Sequence, residues 1–396
     1  MVTAGIICEF DPFHNGHRYL LETARKELKA DRIVCIMSGS FTQRGKPAGW
    51  DKFARARAAA ACGADLALEL PFAYAVNFAD LFARGGVRVL DRLGCVDYLV
   101  FGSECGDTER LTAAAELALK EDSRQSIKDQ LSSGAAYAKA VTSASADPGL
   151  FEGPNDTLAV CYIKELIRQN SRIKPYAVKR VNAMHGAETA LDGFASGSYI
   201  RDLAAKTGSL EAAKDLIPAE AYRELAECSV WTAEDDARLF AIVRSAVLRA
   251  SAEEIACVPE VSEGLENRIK ACASSASDMD SFIKAIKSKR YTYARVARAL
   301  MQLVCGFTKA DLDLFENEEA CYAKVLAFNS TGAAVLKDAA KGSIDIISNV
   351  NKASVSGPAA QKMLELDIKA ADMYSIIKGR QIDKYSDKIC VPTQIK

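Results

Sequence analysis

Histidine is scarce in this 396-residue chain, which has three. None of its 12 cysteines stands in a Cys-x-x-Cys pair. Several of them, Cys8 and Cys35 among them, lie in apolar stretches where a thiol behaves as a small hydrophobe. This pattern argues against a zinc site and a disulfide scaffold, and for a reducing, cytoplasmic compartment. An excess of either charge is also missing. Lys+Arg 51 against Asp+Glu 52 leaves a net charge of −1, so no global field favours nucleic acid or a membrane. A polyanion site must therefore come from local clustering. No apolar run reaches transmembrane length, and the start shows no basic stretch followed by an apolar one, so a soluble protein is expected. A chain of this length expects about two or three domains and a sizeable core.

Two of the three histidines stand together, in Ile7-Cys8-Glu9-Phe10-Asp11-Pro12-Phe13-His14-Asn15-Gly16-His17-Arg18-Tyr19-Leu20. The residues before them read as a buried strand over Thr3 to Glu9. Those after them read as a helix from His17 to about Lys29, with Leu20, Leu21, Ala24 and Leu28 at helical spacing. A helix start presents free N–H groups and partial positive charge, which suits an anion. Gly16 lets the backbone turn and a phosphate approach. Imidazoles one turn apart fall on one side, where both can donate to one triphosphate.

Further strands are expected at Arg32 to Met37, Leu66 to Leu70, Asp97 to Phe101 and Ile173 to Val178. Helices are expected between them, one capped by Asp51 and another over Leu158 to Gln169 capped by Asn155. Continuous apolar strands alternating with helices indicate a Rossmann-like α/β fold, a parallel sheet covered on both faces. Ligands of such sheets bind beyond the carboxyl ends of the strands. The loops 10–17, 38–47 and 102–107 all lie there, as does Lys179-Arg180. In Ala195-Ser196-Gly197-Ser198-Tyr199-Ile200-Arg201, hydroxyls and an arginine at a helix start form a second half-clamp for phosphate. Residues 108–150 are expected to be a helical insertion.

From about Leu203 the alternation stops and the chain reads as mainly helical, with a short mixed tail. This divides it into 1–205 and a mainly helical domain over 206–396. Between Phe282 and Lys309 stand seven basic residues and no acid. Lys284, Lys287, Lys289, Arg290, Arg295 and Arg298 are the candidates for an RNA-contacting face.

Several stretches together resemble one bacterial family, the tRNA(Met) cytidine acetate ligases, within the His-x-Gly-His nucleotidyltransferase-like superfamily. They are Phe-Asp-Pro-Phe-His-Asn-Gly-His (10–17), Met-Ser-Gly-Ser-Phe-Thr-Gln-Arg-Gly-Lys-Pro-Ala (37–48) and Asp-Lys-Phe-Ala-Arg-Ala (51–56). Leu-Glu-Leu-Pro-Phe (68–72), Phe-Ala-Arg-Gly-Gly (82–86), Phe-Gly-Ser-Glu (101–104) and Gly-Pro-Asn-Asp-Thr-Leu-Ala (153–159) complete the set. The resemblance implies ATP-dependent activation of acetate to acetyl-adenylate. The acetyl group then passes to the wobble cytidine of elongator tRNA(Met), giving N4-acetylcytidine. It implies ATP contacts along Ile7 to Leu20 and at Gly102, Asn155 and Arg180, with Ser198 and Arg201 in the serine-rich phosphate motif. His14, His17 and Arg201 would act on the phosphates. Mg²⁺ would accompany ATP rather than sit in a protein cage, and neither a protein partner nor a membrane is implied. One departure lies at Val181-Asn182-Ala183-Met184-His185, where the family pattern has a glycine after the arginine. Two other readings remain open: an adenylyltransferase of the same superfamily acting on a phosphomonoester, and a non-catalytic nucleotide- or RNA-binding protein.

Overall fold

The computed structural model describes residues 1–120, 148–151, 153–180 and 193–395. The expected insertion beyond Lys120 and the departure at Val181 to His185 lie outside those residues. Strands β1 (Thr3–Cys8), β2 (Arg32–Ser38), β3 (Leu66–Leu70), β4 (Tyr98–Ser103) and β5 (Lys174–Lys179) form a parallel block in the order β5-β4-β1-β2-β3. All seven residues of β2 are buried. Successive side chains point to opposite faces, so Val34 and Ile36 join one apolar cluster while Ile33, Cys35 and Met37 join the other. That explains why the strand reads as one apolar run rather than an alternation.

From β1 the chain winds outward through β2 to β3, then returns to place β4 on the other side of β1. The strand order therefore reverses beside β1, the place where sheets of this kind bind ligands beyond the carboxyl ends of their strands. The segment leaving β1 carries the histidines, and the segment leaving β4 carries Glu104. Topology alone brings them to one edge.

The second half of the chain completes the sheet. Strand β6 (Ala323–Phe328) pairs antiparallel with β3, setting Lys324 opposite Glu69, and β7 (Ile346–Ile347) and β8 (Thr393–Gln394) pair with β6. Among the described helices the longest, Pro358–Ile377, was not anticipated. It buries Met363, Leu364, Leu366, Ala370 and Tyr374, so apolar residues occupy most of its circumference and no single stripe marks it as amphipathic. Its Asp367 accepts from the Phe72 N–H at 2.7 Å, and the Tyr374 hydroxyl donates to Ala48 O at 3.0 Å. No described helix is long and apolar enough to cross a membrane. All 12 cysteines are free thiols.

Candidate active site

Helix α1 (Asn15–Glu27) begins one residue after His14, and its cap is built from the two histidines. The Gly16 N–H donates to His14 Nδ1 at 3.1 Å, and the His14 N–H donates to His17 Nδ1 at 3.2 Å. This reciprocal capping satisfies two backbone donors at the helix start. It also assigns the tautomers. With Nδ1 accepting in each ring, the imidazole proton sits on Nε2, and neither Nε2–H is taken up by a hydrogen bond among the described residues. The rings stack with centroids 3.7 Å apart, and the buried Phe10 ring meets His17 edge-on at 4.8 Å. A Cβ at Gly16 would lie 3.0 Å from His14 Cε1, so glycine lets the imidazole lie against the helix start.

Burial, with the nearby Arg180 and Arg201 charges, pushes the His14 pKa down to about 3. His17 is held well below its ordinary value by burial, His14 and Arg180. Both rings are thus neutral donors near pH 7. Between about 3 and the ordinary 6.5 the unfolded chain takes up a proton that folded His14 refuses. The ligand-free protein is therefore expected to lose stability as pH falls through that window, by up to about 1.4 kcal/mol per pH unit for this group. Urea unfolding of wild type and His14→Gln between pH 6.5 and 4 checks this, with a shallower slope expected in the variant.

Two arginines reach the site from different elements. Arg180 follows β5, with its Cγ 3.6 Å from where a Cβ on Gly102 would lie. Its Nε is buried and makes no hydrogen bond among the described residues. A buried N–H without an acceptor is costly, and an anionic ligand would relieve it. Arg201, on the helix Gly197–Thr207, donates to Asp11 O and lies 3.4 Å from the Asp11 carboxylate. Ser196 caps that helix by accepting from the Tyr199 N–H, and its Oγ lies 2.9 Å from Ser198 Oγ. Asp11 Oδ1 in turn accepts from the Gly49 N–H at 2.8 Å.

Other expected positions make contacts within the fold. The Asn15 amide donates to Gly193 O and Asp215 O, Arg18 pairs with Glu220, and the Cys8 thiol donates to Ile36 O. Tyr19 and Leu20 are partly exposed on α1. Asn155 is not the helix cap. The helix Pro154–Arg168 is capped at Gly153, and the Asn155 side chain donates to Glu104. Glu104 also accepts the Asp156 N–H at 2.7 Å, so its carboxylate occupies the positive end of that helix. Sequence reasoning missed Arg55 on helix α2 (Lys52–Ala61), which is fully buried and donates to the carbonyls of Glu9, Ser38, Gly39 and Trp50. It ties together the carboxyl ends of β1 and β2. In sequence it looks like any cation on a helix surface.

The basic stretch divides. Arg298 is buried and ion-paired with Glu260, which removes it from any exposed RNA face. Arg295 donates to Glu260 O at 3.1 Å and to Ser262 Oγ at 2.7 Å. Arg290 pairs with Glu263, and Lys284 with Asp280 at 2.6 Å. Lys287 and Lys289 are exposed and make no ion pair among the described residues. Absence of acid along the sequence did not mean absence in space, because residues 260–280 fold back against this stretch.

A family model described as HIGH nucleotidyl transferase matches residues 1–388. A tRNA(Met) cytidine acetate ligase of Acetivibrio thermocellus is 35% identical over 94% of either chain. One of Clostridium acetobutylicum is 33% identical over 99% of this chain and 100% of its own. Among solved structures, Thermotoga maritima TmcAL in an apo form matches with a TM-score of 0.89 at 27% identity, covering 100% of both chains. The same enzyme bound with α-thio ATP matches at 0.87, with the same identity and coverage. The chain belongs to the HIGH nucleotidyl transferases and, within them, to the tRNA(Met) cytidine acetate ligase family.

Proposed function

We propose that this protein activates acetate with ATP to give acetyl-adenylate and pyrophosphate. It then passes the acetyl group to the exocyclic amine of the wobble cytidine of elongator tRNA(Met), releasing AMP and leaving N4-acetylcytidine. The observation that carries this reading is the pair of neutral imidazoles at the start of α1, beyond the carboxyl end of β1, each with an Nε2–H that makes no hydrogen bond among the described residues. The relatives' printed names support acetate and a cytidine of tRNA(Met) as the substrates.

An acetate oxygen attacks the α-phosphorus and pyrophosphate leaves, so the protein need only position the reactants and stabilise charge. The Nε2–H groups of His14 and His17 meet negative charge growing on the phosphates. Arg180, Ser198 and Arg201 hold the polyphosphate, while Gly102 and Asn155 border the adenosine. Mg²⁺ would accompany the triphosphate as its counter-ion. In this reading 1–205 carries the activation chemistry and 206–396 most of the tRNA contact, in a cytoplasmic enzyme.

Exchange of labelled pyrophosphate into ATP, dependent on acetate but not on tRNA, is the expected result. Exchange that requires a phosphomonoester instead would favour the adenylyltransferase. ATP binding without exchange under any of these conditions would favour a binding protein. Charge reversal at Lys287 and Lys289 together is expected to weaken tRNA binding at low salt and to lower the slope of log affinity against log salt by about 1 per lost phosphate contact. Unchanged filter-binding curves at two salt concentrations would remove these lysines from the tRNA face.

A further inference from the structure

Glu9 leaves β1 directly into the histidine loop, and an ionised carboxylate there donates no hydrogen bond to phosphate. The Gln43 N–H donates to Oε1 at 2.6 Å, while Oε2 accepts no hydrogen bond among the described residues. Charged and titratable groups face it from several elements: Cys8 and Asp11 on its own segment, Arg55 on α2, Arg201 on Gly197–Thr207 and Tyr162 on Pro154–Arg168. Neither arginine pairs with this carboxyl. Arg55 donates to the Glu9 backbone carbonyl, and Arg201 is directed to Asp11.

Gln43 belongs to the loop 41–47, which joins two surfaces. At one side it holds Glu9. At the other it lies against the helix Tyr293–Cys305, where a Cβ on Gly45 would come within 2.3 Å of Arg298 N and Lys46 Nζ stands 5.8 Å from the Tyr293 ring. That helix follows directly on the exposed Lys287 and Lys289. The 41–47 loop therefore links Glu9, beside the histidines, to the helix that follows the lysines proposed to meet tRNA.

We infer that Glu9 is the general base of acetyl transfer, its Oε2 taking a proton from the cytidine amine as that nitrogen attacks the acetyl carbonyl carbon. This deepens the acetate-ligase reading and rests on it. In the step the N–C bond forms and the bond from the acetyl carbon to the adenylate oxygen breaks. AMP leaves with that electron pair, and the amine proton goes to Glu9. An aromatic amine is a weak nucleophile and must shed a proton to become an amide, whereas acetate attacking phosphorus has none to lose. Burial, reinforced by Asp11, holds the Glu9 carboxyl above its ordinary value, which brings it closer in basicity to the operating pH.

Glu9→Gln separates basicity from structure, because its amide oxygen still accepts the Gln43 N–H. In the full-length protein with ATP, acetate and tRNA(Met), transfer is expected to fall about 100-fold more than acetate-dependent pyrophosphate exchange. The acidic limb of the transfer pH profile should vanish with it. Transfer at a near wild-type rate overturns the inference. So does an equal loss of both half-reactions, which would make Glu9 a positioning residue for the 41–47 loop. Wild-type protein that shows no acetate-dependent exchange overturns the acetate-ligase reading itself, a result separate from either variant outcome.

Discussion

Replacing His17 by alanine is expected to lower acetate-dependent pyrophosphate exchange about 100- to 1000-fold, the usual loss when one preorganised donor to developing charge is removed. The substitution does two things at once. It deletes the Nε2–H proposed to meet the phosphates and the acceptor that holds the His14 N–H. Loss of the cap alone costs about 0.5–2 kcal/mol of stability. His17→Asn distinguishes them, since its side-chain oxygen can still cap His14 while its shorter amide falls short of the ligand. Both variants should be slow, and the asparagine variant should melt closer to wild type. Near-normal exchange in His17→Ala would remove the imidazole pair from the mechanism. A neutral donor is the useful form here, because it stabilises charge as it develops without requiring a buried cation in the resting enzyme.

That pair was legible in the sequence because everything shaping it is local. A buried strand, a glycine at a helix start and two imidazoles three residues apart set the geometry of the turn within Ile7 to Leu20. The five parallel strands were legible for a similar reason, as β3 at Leu66–Leu70 shows. Strand β6 was harder. Its partner β3 lies some 250 residues earlier in the chain, and antiparallel pairing across that distance leaves no mark within either segment. The helix Pro358–Ile377 escaped because it is buried on most sides and its apolar period is blurred.

Charge was where sequence reasoning went furthest astray. Arg298 looks like part of a basic face until Glu260 is found beside it, and Arg55 looks solvent-exposed until four backbone carbonyls close around it. Each lies in a segment with few neighbouring acids. A lone cation in sequence carries no sign of whether its partner is water, a phosphate or the other half of the chain.

The same blindness hid the buried charge cluster beneath the 38–50 loop, and the largest loss of stability is expected there. Lys52 and Lys324, each with a side chain 3% exposed, meet Glu69 and Asp387. Two cations balance two anions. Lys324 Nζ lies 2.8 Å from Glu69 and also contacts Asp387, and Lys52 lies 2.8 Å from Glu69 and 2.7 Å from Asp387. Burial works against the charged Asp387 carboxylate, yet the two lysines hold it below its ordinary pKa. Nearby Asp367 is pushed up to about 7 by burial and by Glu69, a measure of how strongly this interior resists further negative charge. Lys324→Met leaves one uncompensated anion in this interior, and breaking such a pair typically costs about 3–5 kcal/mol. Urea denaturation monitored by tryptophan fluorescence measures it. Lys324→Met combined with Asp387→Asn removes one charge of each sign and should recover part of the loss, because the residual Lys52–Glu69 pair is balanced. If the single variant loses less than about 1 kcal/mol, the cluster does not hold the sheet to the C-terminal segment. The site should feel the change as well. Glu69 Oε1 occupies the space a Cβ on Gly39 would fill, and Lys52 shares α2 with Arg55. The carboxyl ends of β1 and β2, which set the direction of the histidine loop, are braced from below by these charges.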